Sequence, residues 1–201
     1  MNRPTTREWM AGSFAVALAI VLIARGVAAP GEKVVMALRA TARWSFLLFW
    51  LATSGSALVT LYGSRFQALA RQARNLGLAF ASAHLAHLGV VAWIYFSSSN
   101  PPERSTLIFF GIGVIWTYTL AIFSIKRLSA ALNPRLWRAL RIVGVEYIAL
   151  AFLVDFDKNP FQGGFANFIA YVPFLALAVA GPVLRLAALV KRLSQVRRLA
   201  V

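Results

Sequence analysis

The chain has 201 residues, 60% of them hydrophobic and only 13% charged, with a mean hydropathy of +0.70. This composition excludes an ordinary soluble globular domain and points to a single membrane domain over residues 1–201. A formal charge of +15 would suggest nucleic acid in a soluble protein, but most of the 21 Lys and Arg residues lie in short segments between apolar runs, the placement that orients helices in a bilayer, so lipid is the expected partner and nucleic acid is not.

Six apolar runs are long enough for a helix to cross a hydrocarbon core of roughly 30 Å: residues 9–29, 44–62, 75–96, 105–125, 139–156 and 167–190. They predict an all-α, polytopic bundle of six transmembrane helices. The first run resembles a secretory signal in its basic start and in the small residues from Gly26 to Ala29, but Arg25 just before that site argues against cleavage. Segment 34–43 carries Arg39 and Arg43 four apart with apolar residues between them. It reads either as an interfacial helix or as an extension of the second span.

Small and polar residues Thr53, Ser54, Gly55, Ser56 and Thr60 crowd the second half of span two, which allows close helix approach. Gly77, Ala81 and His84 share a face of span three, and Gly111, Trp116, Thr117 and Thr119 offer similar chemistry in span four. Pro160, Gly163 and Gly164 mark the loop before span six, and Pro173 and Pro182 are expected to bend that helix. Most Trp and Tyr residues, among them Trp44, Trp50, Trp93, Trp116, Trp137, Tyr62, Tyr95 and Tyr171, fall toward span ends and read as an aromatic belt. With the N-terminus inside, thirteen Lys and Arg residues face the cytoplasm and five face outward, which places both termini inside. Residues 191–201 form a basic cytoplasmic tail suited either to anionic lipid or to docking a cytosolic reductase.

No cysteine is present, which excludes disulfides, iron–sulfur clusters and thiolate metal sites and leaves histidine as the strong nitrogen donor. Both histidines, His84 and His87, lie in span three, three residues apart and therefore on one face near mid-membrane. An ionisable side chain at that depth usually faces a partner, a cofactor or a cavity. Glu146 is the acid well inside a span, so it must be protonated, paired or hydrated; His84 and Arg141 are its expected partners. Arg25 and Arg185 lie near span ends, where they can reach headgroups.

The runs EKVVMALRATARWSFLLF, ARQARNLGLAFASAHLAHL and AIFSIKRLSAALNPRLWRALRIVGVEYIAL resemble the ferric-reductase-like transmembrane family. Its closest branch is the haem-binding membrane subunit of the periplasmic methionine sulfoxide reductase system. Arg39, Thr41 and Trp44 match the start of that branch's second span, with Ala42 in place of glycine. Arg74, Leu76, Gly77 and Leu78 match the third, where His87 stands at the histidine position, and Trp137 and Leu140 match the approach to the fifth. The resemblance covers about residues 32–155. It implies histidines of spans three and five clamping b-type haem and carrying electrons across a bacterial inner membrane. Arg141 and Val154 occupy the two span-five histidine positions, so that clamp is incomplete.

The resulting expectation is a membrane electron-transfer protein, an oxidoreductase or the haem subunit of one. His87 is its foremost haem ligand, His84 the second candidate, and Arg74 and Arg141 serve the propionates. No flavin or nicotinamide fingerprint occurs, so quinol or a separate reductase would donate electrons. What remains is five-coordinate haem on His87 or His84, haem shared with a partner subunit or a second copy, another ligand type, or no haem. Two rivals stay open: a haem-free scaffold or accessory subunit, and a small proton-coupled carrier built on His84 and Glu146.

Overall fold

The computed structural model describes residues 4–29, 32–97, 102–124, 128, 133–157 and 164–199. Arg3, Lys126, Arg127 and Lys158 of the charge balance, and the loop at Pro160 and Gly163, lie outside these residues. Among the described residues all regular structure is helical: α1 (Thr6–Val27), α2 (Lys33–Tyr62), a 3-10 turn (Ser64–Phe66), α3 (Gln67–Ser97), α4 (Arg104–Phe123), α5 (Pro134–Phe156) and α6 (Gly164–Leu199).

Several helix ends are set by hydrogen bonds that hydropathy does not register. α1 starts at Thr6, before the apolar run, because Thr5 and Glu8 form a reciprocal capping box: the Thr5 amide donates to Glu8 Oε2 at 2.7 Å and the Glu8 amide donates to Thr5 Oγ1 at 3.3 Å. Asn133 caps α5, accepting from the Arg135 amide at 2.9 Å, with Pro134 in the first turn where a missing N–H costs nothing. Segment 34–43 is the opening of α2, so the interfacial-helix alternative falls away. Ala37 joins Ala24 and Val90 in a buried cluster bordered by Val21, Val34, Leu38 and Ile94, and this packing holds the early turns of α2 in place. Pro173 and Pro182 both lie inside the continuous helix α6, which also takes in the basic tail as far as Leu199.

α1, α2, α3 with its preceding turn, α4 and the part of α6 from Asn167 to Val196 are long and apolar enough to cross a membrane. The chain is an integral membrane protein. Large apolar side chains left exposed on these helices, with Phe96 at 84%, have the character of lipid-facing surface. α5 forms where the fifth span is expected. Any eighteen-residue stretch of it holds at least three of Arg135, Arg138, Arg141, Glu146 and Asp155, so among the described residues length and composition single out the five other helices.

The chain divides into two compact units. The first comprises Met1–Phe49 and Arg74–Ala131. Its seams are lined by small residues, with Ala17, Ala79 and Ala83 at 0% exposure. That lets backbones approach closely enough for side chains to reach carbonyls of neighbouring helices. Ser13 Oγ of α1 donates to the Ala79 carbonyl of α3 at 2.9 Å, Ser82 Oγ of α3 donates back to the Met10 carbonyl at 2.9 Å, and Thr6 Oγ1 donates to Asn75 Oδ1 at 2.9 Å. Trp44 Nε1 donates to the Ser13 carbonyl at 3.2 Å, so this indole joins α2 to α1.

The second unit comprises Trp50–Ala73 and Leu132–Val201. Here the expected close approach along span two occurs at Gly55, where a Cβ would stand 3.0 Å from the Ala70 amide nitrogen. Gly77 and Gly111, expected to play the same part elsewhere, make no such approach, since a Cβ at either position would meet nothing within 4 Å. The C-terminus of α2 is finished by α6: Lys191 Nζ donates to the Thr60 carbonyl at 2.8 Å, and Arg192 donates to Thr60 Oγ1 through Nη2 at 2.7 Å and Nε at 3.2 Å. Lys191 thus satisfies a carbonyl at this end, and both cations complement the helix dipole. Trp50 Nε1 donates to the Leu177 carbonyl at 2.9 Å, again a bond between helices.

Candidate functional site

The first unit holds both histidines. Along α3 the run Leu78 to Ala83 is buried throughout, rich in alanine and flanked by α1, which fixes the rotation of the helix and hence the direction of the two imidazoles one turn later. The rings of His84 and His87 lie side by side with centroids 5.5 Å apart and planes inclined by 35°. His84 also faces Phe80, with centroids 5.5 Å apart, and Tyr118 of α4 at 6.3 Å. Tyr118 is anchored in turn by donating its hydroxyl to the Ala81 carbonyl at 3.3 Å.

α2 packs antiparallel to α3 here, since Thr41 meets His87 while Phe49 meets Phe80. Thr41 Oγ1 and His87 Nδ1 are hydrogen-bonded at 3.0 Å. By that register Ser45 stands level with His84. Ser45 Oγ and His84 Nδ1 are both buried without a hydrogen-bond partner, as is Trp9 Nε1. Unpaired buried polar atoms are uncommon, and at a cluster of this kind they mark a place for a ligand or an ordered water. Among the described residues no group of three or more His, Asp or Glu comes together, so the donors on offer are the two imidazoles themselves.

The other anticipated site residues lie elsewhere. Arg74 is exposed, thirteen residues and about 20 Å along α3 from His87 at 1.5 Å per residue. Its Nε donates to the Ser124 carbonyl at 2.9 Å, so it caps the C-terminus of α4. Arg141 and Val154, at the two positions where the resemblance expects histidines, are exposed on α5 in the second unit.

Glu146 belongs to the second unit, and its partner is neither of the two expected. Arg185 of α6 grips both carboxylate oxygens, Nε to Oε1 and Nη2 to Oε2, each at 2.7 Å. Arg185 is therefore engaged by a side chain of α5. A two-pronged guanidinium–carboxylate contact is the strongest form of the pair. It commits Glu146 to α6.

Thr41, Ser45 and Tyr118 are the site residues that sequence reasoning missed. Thr41 carried a signal, since it is one of the landmarks of the resemblance, four residues before Ser45 on the same helix. Fold and site together define a helical membrane protein with a pair of imidazoles on a largely buried helix face. Compared with family models, curated proteins and solved structures, the chain matches none of them.

Proposed function

We propose that the chain is a membrane electron carrier of ferric-reductase-like type, with b-type haem held on His87 in the first unit. The observation that carries this reading is the pair of adjacent imidazoles on α3, one bonded to Thr41 and the other with a buried, unpartnered Nδ1. The donor set fits one axial position. It does not fit the clamp of two histidines on two helices, because Arg141 and Val154 replace the second pair and a protonated guanidinium has no lone pair to give. Haem, when bound, would supply a one-electron couple. His87 would hold it, Phe49, Phe80 and Tyr118 would keep the surroundings apolar, and His84 would stand beside the ligand. A second axial donor would come from a partner subunit, a second copy or another ligand type. Six crossings with both termini in the cytoplasm of a bacterium, and a quinol or a separate reductase as donor, complete the proposal.

The incomplete clamp also favours a second reading, a haem-free scaffold or accessory subunit. The proton-coupled carrier loses its support, since Glu146 is held by Arg185. An absorption spectrum of detergent-purified protein, oxidised and then reduced with dithionite, separates the first two. A Soret band abolished by His87→Ala and retained by His84→Ala is the expected result. No Soret band after expression with ample haem would overturn the electron-carrier reading and leave the scaffold.

A further inference from the structure

We propose that Thr41 is a positioning residue that fixes His87 as the tautomer protonated at Nδ1 and thereby presents the Nε2 lone pair as the ligand; this rests on the haem reading above. The argument is a count of protons. Thr41 is 0% exposed, so water does not share its hydrogen bonds. Its Oγ1 lies 2.7 Å from the Ala37 carbonyl oxygen and 3.1 Å from that of Leu38. At 2.7 Å two oxygens need a proton between them, and a hydroxyl has one proton to donate. That proton is committed to the backbone of α2. Toward His87 Nδ1, 3.0 Å away, Oγ1 can therefore only accept.

Nδ1 must carry the hydrogen of this bond. A neutral imidazole protonated at Nδ1 has its lone pair at Nε2, directed away from α2. Histidines that ligate metals are held in this manner, with the second ring nitrogen donating to an oxygen that sets tautomer and ring orientation. His84 lacks any such device. Its Nδ1 has no partner, and its ring neighbours are His87, Phe80 and Tyr118. Thr41 thus distinguishes two otherwise similar histidines and assigns the ligand role to His87.

The test uses full-length protein labelled with 15N-histidine, first without haem. Nitrogen shifts, assigned by comparison with His87→Ala, are expected to show wild-type His87 protonated at Nδ1. Thr41→Val, which keeps the shape and removes the acceptor, should move His87 toward the Nε2-protonated form, and Thr41→Ser should restore the wild-type pattern. In haem-loaded protein Thr41→Val should weaken haem retention by about 10–100-fold, again with rescue by serine. Wild-type His87 protonated at Nε2, or a Thr41→Val spectrum identical to wild type, would overturn the proposal whether or not haem binds. If Thr41→Val does not fold, the wild-type and serine spectra still decide it. Wild-type protein that takes up no haem but shows the expected tautomer would refute the haem reading and leave the role of Thr41 in fixing the tautomer intact.

Discussion

Removing either partner of the Glu146–Arg185 fork should be much worse than removing both. The two charge centres lie about 4 Å apart, which at an effective dielectric of about 20 corresponds to roughly 4 kcal/mol of attraction. Against this stands the desolvation of Arg185, whose side chain is 17% exposed, while Glu146 at 46% keeps part of its surface open and weakens the pairing. A net coupling of about 2 kcal/mol follows. Arg185→Met strands a carboxylate on an otherwise apolar stretch of α5, and Glu146→Gln strands a guanidinium on α6; each should lower stability by about 1–1.5 kcal/mol. The double variant Glu146→Gln/Arg185→Met strands neither charge and should recover most of that loss. Unfolding of purified protein in mixed detergent micelles, followed by tryptophan fluorescence for wild type, both singles and the double, measures the coupling. Strictly additive single effects, or single variants within about 0.5 kcal/mol of wild type, would refute the reasoning.

Two glycines in similar helical settings should respond with opposite sign. Gly55→Ala pushes a methyl to 3.0 Å from the Ala70 nitrogen, backbone that cannot swing aside, and should cost about 1–3 kcal/mol in the same unfolding assay. Gly77→Ala meets nothing within 4 Å and should be neutral or stabilising by up to about 1 kcal/mol. The proposed orientation can be read with an impermeant maleimide, because the chain has no cysteine and every single-cysteine variant is free of background. Glu103→Cys should label in intact cells and Ser64→Cys only after permeabilisation; the reverse pattern would invert the topology.

The helices were legible because apolar run length is a one-dimensional property. Their starts were less so, since the bonds that begin a helix come from single polar residues: Thr5 with Glu8 carries α1 back to Thr6, and the buried contacts of Ala37 keep the early turns of α2 in the helix. The histidine pair was equally plain, being two titratable groups in one apolar run. Its surroundings were not, because which residue of α2 meets His87 depends on the register between two helices 46 positions apart. The same limit hid Arg185, which lies 39 positions from Glu146 and looked like a residue able to snorkel to the surface. The carbonyls that accept from Trp44 and Trp50 were hidden for a related reason, since each belongs to another helix.

The way α2 is finished has a consequence in time. Its terminal Thr60 is met by Lys191 at the carbonyl and by Arg192 at the hydroxyl, some 131 positions later in the chain. At about 5–20 residues per second, a ribosome needs roughly 7–26 s to deliver those two cations after Thr60 has been made. During that interval the end of α2 has water or lipid headgroups for company, and the second helix of the chain is completed only when the last one arrives.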